Sequence, residues 1–99
     1  MDPKEIISDK KIIDFCANNH IKQLAYFGSV LREDFSPQSD IDILIEFEDG
    51  FIPGFDFFRM EADLTQLFGR KVDLQTTQFL SPEIRLHVLS EAVIAYEQA

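Results

Sequence analysis

The length of 99 residues fits one domain, residues 1–99, and a 45% hydrophobic content with ten Phe supplies a core and excludes a disordered segment. The formal charge of -9, from 18 acids against 9 scattered bases, excludes a surface that grips nucleic acid by neutralising phosphates, yet it suits a site where divalent cations stand between carboxylates and a triphosphate. A lone Cys16 excludes an internal disulfide, the charged Met1–Lys11 segment lacks the apolar stretch of a signal peptide, and no run nears the ~18 apolar residues of a membrane span, so a cytoplasmic protein is expected.

The first element expected is a helix over residues 3–19, with Asp2 as N-cap, Pro3 in the first turn, Ile6, Ile13, Cys16 and Ala17 on one face, and Asn18 and Asn19 at its end. Residues 23–27 carry Leu24, Ala25, Tyr26 and Phe27 into Gly28, which reads as a buried strand entering a tight turn. One or two helical turns are expected at 30–33, and a loop at 35–39 where Ser36 and Pro37 stand. Residues 41–48 alternate strictly, with Ile41, Ile43, Ile45 and Phe47 on one face and Asp42, Leu44, Glu46 and Glu48 on the other, so this is the clearest strand. After turns at Asp49-Gly50 and Pro53-Gly54, a helix is expected over 55–68, with Phe58, Ala62, Leu64 and Leu67 near helical spacing and Gly69 as its cap. Residues 71–76 return to a strand, with Val72 and Leu74 facing one way and Lys71, Asp73 and Gln75 the other. Ser81 as N-cap and Pro82 at N1 start a helix through Leu89, and residues 92–96 fit either a final strand or a helical tail. The order describes an α/β domain with a small sheet covered by helices.

Three groups of residues carry candidate chemistry. Asp40 and Asp42, two apart at a strand start, project from one face, where a shared cation would remove their mutual repulsion. By itself an Asp-x-Asp pair is an ordinary polar strand face. Gly28 and Ser29 add a place where a phosphate can approach the backbone and a free helix N-terminus, and Ser39 stands beside the acid pair. Asp73, on the polar face of the later strand, would complete a carboxylate cluster of the kind that holds two metals and helps deprotonate an attacking hydroxyl. His20 and His87 lack metal-ligand spacing, and Cys16 sits on an apolar helix face, so these read as structural. The Phe-rich stretch 51–58 reads as core, with any exposed part a partner surface, and Arg70 and Lys71 read as favourable charges at a helix end.

Taken together, Phe27-Gly28-Ser29-Val30-Leu31-Arg32, then Ser39-Asp40-Ile41-Asp42-Ile43, then Val72-Asp73-Leu74 resemble the minimal nucleotidyltransferases of the polymerase beta superfamily, over residues 24–96. The resemblance implies a nucleotidyltransferase fold, with Gly28 and Ser29 holding nucleotide phosphates, Asp40 and Asp42 binding catalytic Mg²⁺, and Asp73 as third acid and metal ligand. By the resemblance Arg32 either steadies the loop or reaches a phosphate, a plain surface arginine being the alternative, and Ser39 joins the nucleotide-binding residues, although Glu33 stands where many relatives have Gly. It further implies an antitoxin that moves AMP from ATP to a hydroxyl, a tyrosine in particular, of a partner HEPN-domain toxin, forming a hetero-oligomer with no direct role for nucleic acid or membrane. The alternative reading is a non-catalytic binding module that neutralises its partner by occlusion.

Overall fold

The structure is a computed structural model and describes residues 8–28, 40–77 and 80–98. Helix α1 spans Asp9–Asn18, strand β1 Ile21–Phe27, β2 Ile41–Phe47, helix α2 Asp56–Phe68, β3 Val72–Thr76, helix α3 Pro82–Glu91 and β4 Val93–Glu97. The expected helical turns at 30–33 and the loop at 35–39 lie outside the described residues.

Helix α1 starts later than the sequence suggests. Ser8 holds an extended backbone and its hydroxyl accepts from the Lys11 N–H at 3.4 Å, so Ser8 and not Asp2 is the N-cap, and Asp9 supplies the acid of the first turn. Asp2, Pro3 and Ile6 lie outside the described residues. The buried face is Ile12, Phe15 and Cys16, one residue out of phase with expectation, and Ile13 and Ala17 face solvent. Asn19 ends the helix, and its side-chain amide donates to the Phe15 carbonyl at 2.8 Å. Its Oδ1 accepts from Arg59 Nη2 at 3.0 Å, which ties the end of α1 to α2.

The sheet order is β3-β2-β1-β4, with β1 antiparallel to both β2 and β4 and β2 parallel to β3. Pairing with β1 also settles the last segment as a strand. Parallel β2 and β3 need a crossover, which α2 provides. Gly69, in the left-handed conformation, closes α2 as expected. Its buried positions are Met60, Leu64 and Phe68, whereas the expected Phe58 and Ala62 are exposed.

One face of the sheet meets α1 and α2. Leu24, Tyr26, Ile41, Ile43, Ile45, Phe47, Val72 and Leu74 pack there with Ile12, Phe15, Cys16, Met60, Leu64 and Phe68. Each such side chain contributes about 1.5–3 kcal/mol by leaving water. Ala25 and Leu44 point the other way, as the register requires, and are buried too, so the middle of β2 is dry on both faces. Of the Phe-rich stretch, Phe51 and Phe57 pack against the core, but Phe55 is 90% exposed. Among the described residues no helix is long and apolar enough to cross a membrane.

Candidate functional site

The two kinds of strand pairing bring separate chain segments to one end of the sheet. Antiparallel pairing sets Phe27, the last residue of β1, opposite Asp42 near the start of β2. Parallel pairing sets Asp42 in register with Asp73, so the two carboxylates leave the same face of neighbouring strands that run about 4.8 Å apart. This is the face opposite the helix-covered core, because Ile41, Ile43, Val72 and Leu74 occupy the other one.

Gly28 follows at the end of β1 with φ +71°. A Cβ placed there would lie 3.1 Å from Asp42 Cγ and closer still to one carboxylate oxygen. Only glycine accepts both that backbone conformation and this close approach. The backbone at Gly28 therefore stands directly against the Asp42 carboxylate.

Asp40 stands one residue before β2, and its Oδ2 lies 3.8 Å from Lys71 Nζ in an exposed ion pair. The backbone reinforces this neighbourhood, since the Ile41 N–H donates to the Lys71 carbonyl at 3.0 Å. The structure thus sets Asp42 beside Asp73 and Asp40 beside Lys71. Among the described residues, no three His, Cys, Asp or Glu side chains gather closely enough to form a ready metal cage. Ser29, Arg32 and Ser39 lie outside the described residues.

Three residues that the sequence reading did not single out as part of the site hold its acids in place. Thr65 Oγ1 accepts from the Val72 N–H at 3.1 Å, and Glu61 Oε2 accepts from the Leu74 N–H at 3.0 Å. These bonds fall on either side of Asp73 and occupy outward N–H groups of an edge strand that would otherwise invite pairing. Their i, i+4 spacing on α2 is the only sequence signal, and it is the ordinary spacing of a solvated helix face. Lys71, read as a helix-end charge, is the third.

The remaining candidates fall where a structural reading puts them. Cys16 is fully buried, and burial pushes its thiol up to about 12, which leaves it protonated and inert at neutral pH. His20 stacks on Phe51 with ring centroids 4.4 Å apart, and its Nδ1 lies 3.6 Å from Glu48 Oε2. His87 is exposed on α3 beside Glu91.

The profile of the family described as "Polymerase beta, Nucleotidyltransferase" matches residues 10–99. A protein of Methanocaldococcus jannaschii described as a protein adenylyltransferase is 34% identical over 84 residues, covering 85% of this chain and 89% of the relative. Among solved structures, a minimal nucleotidyltransferase superposes with a TM-score of 0.78 at 32% identity, covering 94% of this chain and 95% of that one. A complex of a tri-AMPylated Shewanella oneidensis HEPN toxin with an MNT antitoxin gives a TM-score of 0.67 at 21% identity, covering 91% of this chain and 70% of the other, a likeness of fold. The chain belongs to the polymerase beta nucleotidyltransferase family. It is a nucleotidyltransferase, and its α/β architecture is the fold of that family.

Proposed function

We propose that residues 1–99 act as one cytoplasmic domain that moves AMP from ATP to a tyrosine-type hydroxyl of a HEPN-domain partner and so serves as its antitoxin. The observation that carries this reading is the apposition of Gly28 to Asp42, with Asp73 in register on the next strand. A glycine whose Cβ position is filled by a carboxylate is one the site needs for reasons beyond making a turn. The Methanocaldococcus relative described as a protein adenylyltransferase, and the fold shared with the MNT antitoxin bound to an AMPylated HEPN toxin, support this reading.

The donor set suits a hard divalent cation, because Asp40, Asp42 and Asp73 offer only carboxylate oxygens. Mg²⁺ held there would neutralise charge on the phosphates and stabilise the pyrophosphate leaving group. In this reading Gly28, Ser29, Arg32 and Ser39 would form the nucleotide-binding set. The acceptor oxygen bonds to the α-phosphorus as the bond to pyrophosphate breaks. Asp73, exposed on its strand, takes the hydroxyl proton.

The ion pair of Asp40 with Lys71 favours a second reading, in which Asp40 is tied up and the protein neutralises its partner by occlusion alone. One experiment separates the two. Purified HEPN-domain partner incubated with ATP, Mg²⁺ and this protein should gain the mass of one or more AMP units, and Asp42→Asn should abolish the gain. An unmodified partner in a tight complex would establish occlusion instead.

A further inference from the structure

Lys71 stands among the three acids. Strands β2 and β3 are in register from Ile41 with Val72, so Asp40 and Asp42 on one chain segment lie beside Lys71 and Asp73 on the next. Ile41 and Val72 belong to the core, and alternation sends the four charged side chains to the opposite face. This corner of the sheet holds three negative charges and one positive.

The backbone of Lys71 is fixed. Its carbonyl accepts from the Ile41 N–H at 3.0 Å, and one residue on, the Val72 N–H donates to Thr65 Oγ1 at 3.1 Å. Its side chain is a flexible four-carbon stem, 75% exposed, with Nζ 3.8 Å from Asp40 Oδ2. That is an ion-pair distance beyond hydrogen-bond reach. Arg70 next to it is half-buried and already in an interaction of its own, so Lys71 is the exposed arm of this corner.

An exposed pair of this kind holds its carboxylate against a competing cation by only about 2–5-fold. A divalent cation at the acids needs the Asp40 carboxylate that Lys71 faces, and it repels the ammonium group besides. A triphosphate that comes with the cation reverses the balance, because it brings negative charge to the ammonium just as Asp40 is taken from it.

We infer that Lys71 is a displaceable counter-ion and a phosphate ligand: it pairs with Asp40 while no nucleotide is bound, then yields that carboxylate and turns onto a phosphate oxygen of the nucleoside triphosphate. The inference rests on the proposed nucleotidyl transfer at Asp40, Asp42 and Asp73. Lys71 so selects a cation that arrives with its nucleotide over a bare one, and its part is in binding rather than in proton transfer.

The test measures Kd for Mg²⁺ alone and Kd for ATP at saturating Mg²⁺, by calorimetry, in wild type, Lys71→Met, Lys71→Arg and Lys22→Met. Lys22 is exposed at the far end of β1, so its loss changes net charge equally but away from the acids. Lys71→Met should bind Mg²⁺ about 2–5-fold more tightly and ATP at least ~10-fold more weakly. Lys71→Arg keeps the charge and should stay near wild type, as should Lys22→Met. Opposite movement of the two constants is the signature, since a lysine that only supports the fold would move neither or weaken both. Either constant unchanged in Lys71→Met, both shifted in one direction, or equal shifts in Lys22→Met would overturn the role of Lys71 while leaving the transfer reaction standing. If the constants move as expected in a protein that does not modify its partner, the role of Lys71 holds and the transfer reaction fails. A wild type that binds neither Mg²⁺ nor ATP would overturn both.

Discussion

Gly28→Ala isolates the close approach that carries the functional reading. Alanine at φ +71° costs about 1–2 kcal/mol in backbone strain. In addition its Cβ enters the space of the Asp42 carboxylate, 3.1 Å from Cγ and nearer to one oxygen. Two paired strands move less readily than the end of one side chain, so the carboxylate swings away and the fold survives. Gly69 is a matched control, with φ +70° and nothing within 4 Å of an added Cβ. Both alanine variants should therefore lose a similar 4–16 °C or so in melting temperature, from about 4–8 °C per kcal/mol for a domain of this size. Only Gly28→Ala should lose AMP transfer, by at least ~10²-fold, because charge stabilisation at the reacting phosphate depends on where Asp42 points. The assay is transfer from labelled ATP to saturating partner, run below the melting temperature of both variants. Wild-type turnover in Gly28→Ala would refute the argument, and so would equal losses of turnover in the two variants.

Two further outcomes are expected. Millimolar Mg²⁺ should raise the melting temperature and ATP should raise it again, because ligands that bind only the folded state shift its equilibrium; Asp42→Asn and Asp73→Asn should each blunt the rise, and a flat wild-type titration would count against the site. With the Cys16 thiol raised from 9.0 to about 12 in the fold, the unfolded chain loses its proton first as pH rises, so stability is intact below about pH 9 and falls through the window up to 12 by about 1.4 kcal/mol per unit. Urea melts at pH 8 and 10 should show this loss in wild type and a smaller one in Cys16→Ala; equal losses would refute it.

The strands that carry the acids were legible because a pleat has a period of two. Ile41, Ile43, Ile45 and Phe47 do face the core, and Val72 and Leu74 do face away from Asp73. The helices were read less well, because neighbouring apolar residues let two faces fit equally. In α1 the pair Ile12 and Ile13 precedes Phe15 and Cys16, and tertiary packing selects Ile12 with Phe15. In α2 the run Phe57, Phe58 and Met60 offers several phases, and the sheet takes Met60 with Leu64 and Phe68. The start of α1 was misplaced because Pro3 after Asp2 is a good local signal, yet Ser8 caps the helix. Glu61 and Thr65 were invisible as supports of Asp73 because a bond from a helix side chain to a strand N–H depends on how the two elements dock. The five residues of β4 carry too little pattern to separate strand from helix, and pairing with β1 decides it.

The order of connections explains why so short a chain can build a site from distant segments. An antiparallel pair returns the chain to the end it just left, so Phe27 and Gly28 meet Asp42. A parallel pair joined by α2 starts both strands at the same end, so Asp42 meets Asp73 thirty-one positions later. β2 takes part in both pairings and is buried on both faces at Ile43 and Leu44, immediately beyond Asp42. Asp42 and Asp73 thus project from paired strands, and their spacing is set by the sheet and not by loops. Holding like charges side by side opposes folding, and the dry middle of β2 offsets it. A cation, or a nucleotide phosphate group with its cation, bound at the proposed site would lessen the repulsion and so couple ligand binding to stability.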